Sequence, residues 1–136
     1  MLRALARLLT AAVYLSTARG VIENAEHLTG IPESLGLPEP ERMVQLHGAT
    51  NLVGGLMLAL GIKPRLAAWA LIANLVPTTL AGHRYWEEDD DDGRMGQRVH
   101  FFKNVSMLGG LLAVVAMERA HARRDVSQRF RAARRA

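Results

Sequence analysis

Polar side chains that could bind a ligand interrupt the long apolar stretches of this sequence. Each lies within such a stretch or at its edge, and each can donate or accept hydrogen bonds. They are Arg19, His47, Asn51, Asn74, Thr78, His83, His100, Lys103 and Asn104. Ionisable groups at membrane depth are costly and commonly mark a functional site. We therefore predict that this set forms a ligand-binding site.

Two interpretations of the set remain open at this point. In the first, the groups only form hydrogen bonds between helices, and each such bond stabilises the bundle by about 0.6 kcal/mol. In the second, they line a polar cavity that opens on one side of the membrane. Arg19, Lys103 and the histidines favour the cavity, because asparagines and threonines alone need no explanation beyond helix packing. Pro77 adds modest support, since it removes a helical hydrogen bond and frees a carbonyl nearby.

The residue types also limit the chemistry of the protein. The chain contains no cysteine, so it can form no disulfide, thiol relay or Cys-ligated metal site. His83, Glu87 and His100 could approach one another, but they lack a defined metal-ligand spacing, and we predict no metal site. The six consecutive acids at 87–92 are typical of a solvated loop. No catalytic set is recognisable, so whether the protein catalyses a reaction stays open, and we predict no intrinsic cofactor.

Four apolar stretches must position these side chains, at about 4–22, 43–60, 66–82 and 99–117. At about 1.5 Å of rise per residue, each of the last three covers most of a hydrocarbon core of about 30 Å. They lack the alternation of barrel strands, and lipid otherwise tolerates only helices. The mean hydropathy of +0.04 hides them, because charge is segregated between the stretches. The sequence predicts an all-α fold, an integral membrane four-helix bundle.

The first stretch is the least certain, because only eleven uncharged residues separate Arg7 from Arg19. A retained span requires Arg3 and Arg7 to extend to the interface and Arg19 to face the bundle. A cleaved signal peptide, with small residues near Ser16, is the alternative. We favour the retained span, because three helices would enclose the polar residues poorly.

Charge predicts the orientation in the membrane. The amino-terminal segment, the turn at 63–65 and the tail hold eleven Lys and Arg, with only Glu118 and Asp125 as acids. The segments 23–42 and 83–98 hold the other eleven acids against four Arg. Basic segments stay in the cytoplasm, so we predict a multi-pass protein of the plasma (inner) membrane with both termini cytoplasmic. The chain then divides into a transmembrane domain, 1–118, and a basic cytoplasmic tail, 119–136.

The basic tail is better explained by this topology than by nucleic acid. Seven of the seventeen basic residues lie in the last eighteen positions, and no basic stripe is interleaved with aromatics elsewhere. We therefore expect no nucleic-acid partner. The predicted cytoplasmic halves of the helices are almost entirely apolar, which leaves the polar set in the outer half. Two stripes of small residues predict close helix packing: Gly48, Gly55 and Ala59, and Gly109, Gly110 and Ala113.

Three runs carry a family resemblance: GATNLVGGLMLALGIKPRLAA at 48–68, PTTLAGHRYWEE at 77–88 and HFFKNVSMLGGLL at 100–112. They resemble the DoxX family, and specifically its actinobacterial members. The resemblance covers about residues 5–117. It is most specific from Pro77 to Leu112 and weakest in the first helix. The acidic run after Trp86 is longer than is expected for the family.

The resemblance implies a four-helix membrane protein. One branch of the family is similar to the small membrane subunit of an archaeal thiosulfate:quinone oxidoreductase. Mycobacterial relatives are linked to a membrane oxidoreductase complex with a superoxide dismutase and a thiosulfate sulfurtransferase. The resemblance therefore implies a membrane subunit that anchors or couples redox proteins in oxidative stress or sulfur metabolism, with quinone as a candidate ligand. The alternative is a small carrier or lipid-binding protein with no redox role. No catalytic residue carries over.

Overall fold

The computed structural model describes residues 1–134, which form four long α-helices joined by short connections. The long helices are α1 (Leu2–Glu23), α3 (Pro40–Leu60), α4 (Pro64–Gly82) and α5 (Asp91–Ala133). A short helix, α2 (Gly30–Ser34), and two 3₁₀ turns, at Ala25–Leu28 and Tyr85–Glu87, lie in the connections. All four long helices are long and apolar enough to cross a membrane. The predicted all-α membrane bundle is confirmed.

The bundle has two distinct ends. The amino terminus and the tight turn after α3 lie at one end, which we call the terminal end. The connections 24–39 and 83–90 lie at the other, which we call the loop end. Each predicted span lies within one long helix, but α5 continues without a break to Ala133. The predicted domain boundary at 118 is thus not marked by a change of secondary structure. Positions 135–136 of the predicted tail lie outside the described residues.

Local sequence explains where α3, α4 and α5 begin and end. Proline occupies the first helical position of both α3 and α4, where a missing N–H costs nothing. Gly61 ends α3 with a φ of +73°, a conformation that glycine adopts without strain. The Asp90 side chain accepts a 2.7 Å hydrogen bond from the Gly93 N–H and so caps α5. The short turn between α3 and α4 makes these two helices an antiparallel hairpin.

The core lies along the middle of the bundle and towards the terminal end. α1 packs mainly on α3, α3 on α4, and α4 on α5, whereas α5 contacts α1 less extensively. The buried core side chains are Ala11, Tyr14, Leu58, Ala67, Ala68, Leu71, Ile72, Leu75, Leu111 and Val114. Many large apolar side chains, such as Leu60, Leu66 and Leu80, are exposed on the outside. An apolar exterior is what a surface in contact with lipid requires.

Glycines of α3 allow the neighbouring helices to approach closely. A Cβ at Gly48 would lie 2.6 Å from Ile22 Cγ1 of α1 and 3.3 Å from the Ala18 carbonyl oxygen. Gly55 faces Leu15 of α1 in the same way. In the predicted stripe on the last helix, a Cβ at Gly110 would make ordinary contact with Thr10 of α1 at 3.5 Å, whereas a Cβ at Gly109 would meet nothing within 4 Å. Gly109 is therefore not a packing glycine, and that part of the prediction is wrong.

This contrast gives a matched pair of substitutions. Gly48→Ala should destabilise the bundle by about 1–3 kcal/mol, because the added methyl group overlaps both a side chain and backbone of α1. Gly109→Ala should leave stability unchanged or raise it by up to about 1 kcal/mol through better helix propensity. Thermal unfolding in detergent measures both. Equal stability of the two variants would contradict the close α1–α3 contact.

Candidate ligand-binding site at the loop end

His47, Asn51 and Asn74 form a closed hydrogen-bonded cycle between α3 and α4. The Asn74 amide nitrogen donates to Asn51 Oδ1 at 2.9 Å and to the His47 backbone carbonyl at 3.1 Å. His47 Nδ1 lies 3.0 Å from Asn74 Oδ1, and His47 Nε2 lies 3.2 Å from Asn51 Nδ2. Because every link joins a donor to an acceptor, the three side chains satisfy one another.

The cycle determines which nitrogen of His47 carries the proton. The two bonds donated by the Asn74 amide nitrogen fix the orientation of the amide, so that its oxygen faces Nδ1 of His47. An amide oxygen only accepts, and Nδ1 must therefore be the donor. The Asn51 oxygen accepts from Asn74, so the Asn51 amide nitrogen faces Nε2, which must accept. The arrangement therefore assigns the neutral Nδ1–H tautomer to His47.

Helical spacing and the α3–α4 hairpin bring these residues together. Asn51 follows His47 by four residues on α3, and Thr78 follows Asn74 by four on α4, so each pair shares one helix face. Thr78 donates its hydroxyl hydrogen to the Asn74 backbone carbonyl at 2.9 Å, and its oxygen lies 3.3 Å from His47 Nδ1. These four members of the predicted set form one cluster.

A pocket of about 400 Å³ lies beside this cluster, between the connection 24–39, the end of α1, and helices α3 and α4. One wall is polar and is formed by His47, Asn74 and Thr78. The other lining residues are apolar and uncharged: Val21, Leu28, Ile31, Pro32, Leu35, Leu37, Met43, Val44, Leu46, Ala73 and Pro77. Volumes of this size accommodate small organic ligands. The site is thus an apolar pocket with one polar wall.

His83 and His100 belong to a second cluster, which the structure does not join to the first. Their rings stack with centroids 5.3 Å apart, and His83 Nδ1 lies 2.8 Å from Gln97 Oε1. Lys103 Nζ lies 3.3 Å from His100 Nδ1, but the Lys103 side chain is exposed on the outside of α5. Gln97 was missed by the sequence analysis, although its position three residues before His100 places it on the same helix face.

The two remaining members of the predicted set are separate again. Asn104 is buried and donates to the Thr79 hydroxyl at 3.1 Å, which ties α5 to α4. Arg19 is 85% exposed and pairs with Glu23, one turn further along α1, at 2.8 Å. The expectation that Arg19 faces the bundle is therefore wrong. The charge pattern explains the difference, because the Glu23 carboxylate gives Arg19 a partner without burial.

The terminal end holds an ion cluster that the sequence analysis did not predict. Glu118 of α5 is only 7% exposed and accepts hydrogen bonds from Arg3 at 2.8 and 3.3 Å and from Arg7 at 3.1 Å. Arg7 also lies under the turn after α3, where a Cβ at Gly61 would be 2.9 Å from Nη2. The carbonyls at the end of α3 favour a cation there. The cluster joins the first helix to the last, where apolar contact is least extensive.

The residues described by the structure include no group of three or more His, Asp or Glu side chains that could hold a metal. Comparison with protein families finds a match to the DoxX model over residues 2–84, which is more than half of the chain. The chain belongs to the DoxX family. Neither the curated proteins nor the solved structures give a match.

The DoxX match includes the first three long helices and all three residues of the His47–Asn51–Asn74 cycle. It begins in α1, where the quoted resemblance is weakest, and it ends at residue 84, so most of the stretch from Pro77 to Leu112 lies beyond it. The family assignment therefore rests on the part of the chain that forms the pocket. α5, which carries His100, Lys103 and the basic segment, lies beyond it.

The ion cluster of this DoxX protein can be tested by removing one charge. Glu118→Gln should destabilise the bundle by on the order of 2 kcal/mol, because two guanidinium groups lose a charged acceptor. Asp125→Asn is the matched control, since Asp125 is half-exposed and its one ion pair within residues 1–134 is with His121 on its own helix. It should change stability by less than about 0.5 kcal/mol. Thermal unfolding in detergent compares the two, and a harmless Glu118→Gln would contradict a structural role for the cluster.

Proposed function

We propose that this DoxX protein binds a small, neutral, largely apolar molecule at the loop end and presents it to redox partner proteins. The pocket of about 400 Å³ is the observation that carries the proposal. Its lining contains no charged side chain, so an ionic head group would lose its hydration without gaining a partner. A molecule with an apolar body and one polar, uncharged group matches the lining.

Neutral lipids and membrane quinones in their reduced, hydroxyl-bearing form both combine an apolar body with uncharged polar groups, and the surroundings of the pocket suit molecules that arrive through the bilayer. Leu28, Leu35, Leu37 and Leu46 line the pocket and are themselves partly exposed. An apolar rim of this kind lets a lipid-dissolved molecule reach the polar wall without crossing water. This supports a ligand that partitions into the membrane.

The redox part of the proposal is supported by the family resemblance. The chain has no cysteine, and the clusters described above include no arrangement of nucleophile and base. A non-catalytic subunit that anchors or couples an oxidoreductase, with chemistry on the partner, agrees with both observations. A carrier or lipid-binding protein without a redox role is the second candidate, and the apolar pocket supports it equally.

Isolation of the protein from its native membrane in mild detergent tests both candidates at once. Mass spectrometry should identify a bound neutral small molecule, and an oxidoreductase should co-purify. Ala73→Phe should lose the small molecule, because the ring projects from a pocket-lining position. Ala70→Phe is the matched control, since Ala70 is also exposed on α4 but does not line the pocket.

Each outcome has a distinct meaning. Failure to find any bound molecule would contradict the binding function. A molecule retained without a protein partner would favour the carrier and contradict the redox subunit. Equal loss from the Ala73 and Ala70 variants would show that the molecule binds elsewhere.

We also propose that both termini are cytoplasmic and that the pocket opens outside the plasma membrane. The excess of Lys and Arg at the terminal end supports this orientation. Because the chain lacks cysteine, Asp90→Cys and Ala132→Cys each introduce a unique label site. In intact cells an impermeant thiol reagent should label Asp90→Cys and spare Ala132→Cys until the membrane is opened. Labelling of both from the same side would overturn the orientation.

A further inference from the structure

We propose that the pocket selects a ligand whose polar group donates a hydrogen bond, a hydroxyl or phenol, over the same molecule with an oxygen that can only accept. The inference rests on the proposed binding function and specifies its ligand. It follows from counting which hydrogens and which lone pairs of the polar wall are already used.

The donors of the polar wall are all committed. His47 Nδ1–H donates to Asn74 Oδ1, and both amide hydrogens of Asn74 are used within the cycle. The Thr78 hydroxyl hydrogen goes to the Asn74 backbone carbonyl. The uncommitted side-chain hydrogen of the cycle is the second one on the Asn51 amide. Asn51 is buried and does not line the pocket.

Two backbone N–H groups of the segment that closes the pocket are also committed. The N–H groups of Leu35 and Leu37 donate to carbonyls of Ile31 and Pro32. Pro32 and Pro77 have no N–H at all. At the polar wall, an entering carbonyl or ether oxygen would therefore gain a hydrogen bond only by taking the Thr78 hydrogen from its present acceptor. That exchange yields no additional bond.

Acceptors, by contrast, remain available. Asn74 Oδ1 and Thr78 Oγ1 each have a lone pair beyond those used in the cluster. Pro77 cannot donate to the Ala73 carbonyl four residues earlier, so this carbonyl lacks its usual helical partner. Ala73, Asn74, Pro77 and Thr78 all line the pocket. A hydroxyl group can thus add a hydrogen bond without breaking one.

This selection can be tested with two probes that differ only in whether their polar group carries a hydrogen to donate. Dodecylphenol and its methyl ether, dodecylanisole, share the alkyl chain and the ring, but the ether has no hydrogen to donate. Each is incorporated at equal mole fraction into nanodiscs that contain the protein, and native mass spectrometry measures the fraction of protein that retains it. We expect about tenfold stronger retention of the phenol, the effect of roughly one net hydrogen bond to a desolvated group.

Thr78→Val should reduce this preference several-fold, because it removes one acceptor while conserving shape. Thr50→Val is the matched control, since the Thr50 hydroxyl donates to Leu46 of its own helix and does not line the pocket. Equal retention of phenol and ether, or preference for the ether, would overturn the selection but leave the binding function standing. Retention of neither probe at any tested mole fraction would overturn the binding function itself.

Discussion

A polar group inside a bilayer has no water to bond, so its partners must come from the protein. His47, Asn51 and Asn74 meet this demand with one another, in a cycle that uses both ring nitrogens and both amides. The cycle fixes α3 against α4 and fixes the tautomer of the histidine. Within the cycle the side-chain hydrogens that face the pocket are already bonded, whereas lone pairs of the oxygens remain free. The contacts that hold two helices together therefore also determine which ligand the pocket can accept.

The two ends of the bundle pair most of their buried polar side chains by different means, although Arg7 Nε and, in the core, the Tyr14 hydroxyl lie buried without a hydrogen-bond partner in the described residues. The loop end uses neutral amides, a hydroxyl and an imidazole, which need no compensating charge. The terminal end uses two guanidinium groups around the nearly buried carboxylate of Glu118, with Arg3 still 37% exposed. The desolvation penalty of such an ion cluster is small enough only where part of the cluster reaches water or lipid head groups. Charge is thus kept out of the pocket, and the nearly buried ion cluster lies at the opposite end of the bundle.

Helix number, the α3–α4 hairpin and the polar residues facing the pocket could be predicted from the sequence. The length of an apolar stretch identifies a membrane-spanning helix, and four-residue spacing places Asn51 on the same helix face as His47 and Thr78 on the same face as Asn74. The orientation of α5 could not be predicted in this way, because His100, Lys103 and Asn104 share one broad face. Packing alone decides that Asn104 points inward and Lys103 outward. The Glu118 cluster joins residues more than a hundred positions apart, and no local pattern reveals such a pair.

The unbroken course of α5 has a mechanical consequence. At about 1.5 Å per residue, roughly 40 Å of the helix lies between Asp91 and Glu118, and roughly 23 Å between Glu118 and Ala133. Packing on α4 and the Asn104–Thr79 hydrogen bond hold the part before Glu118, and Arg3 and Arg7 hold Glu118 itself. The part beyond Glu118 carries its basic side chains on a helix that is almost entirely exposed. These charges therefore extend from the bundle at regular helical spacing, not along a flexible tail.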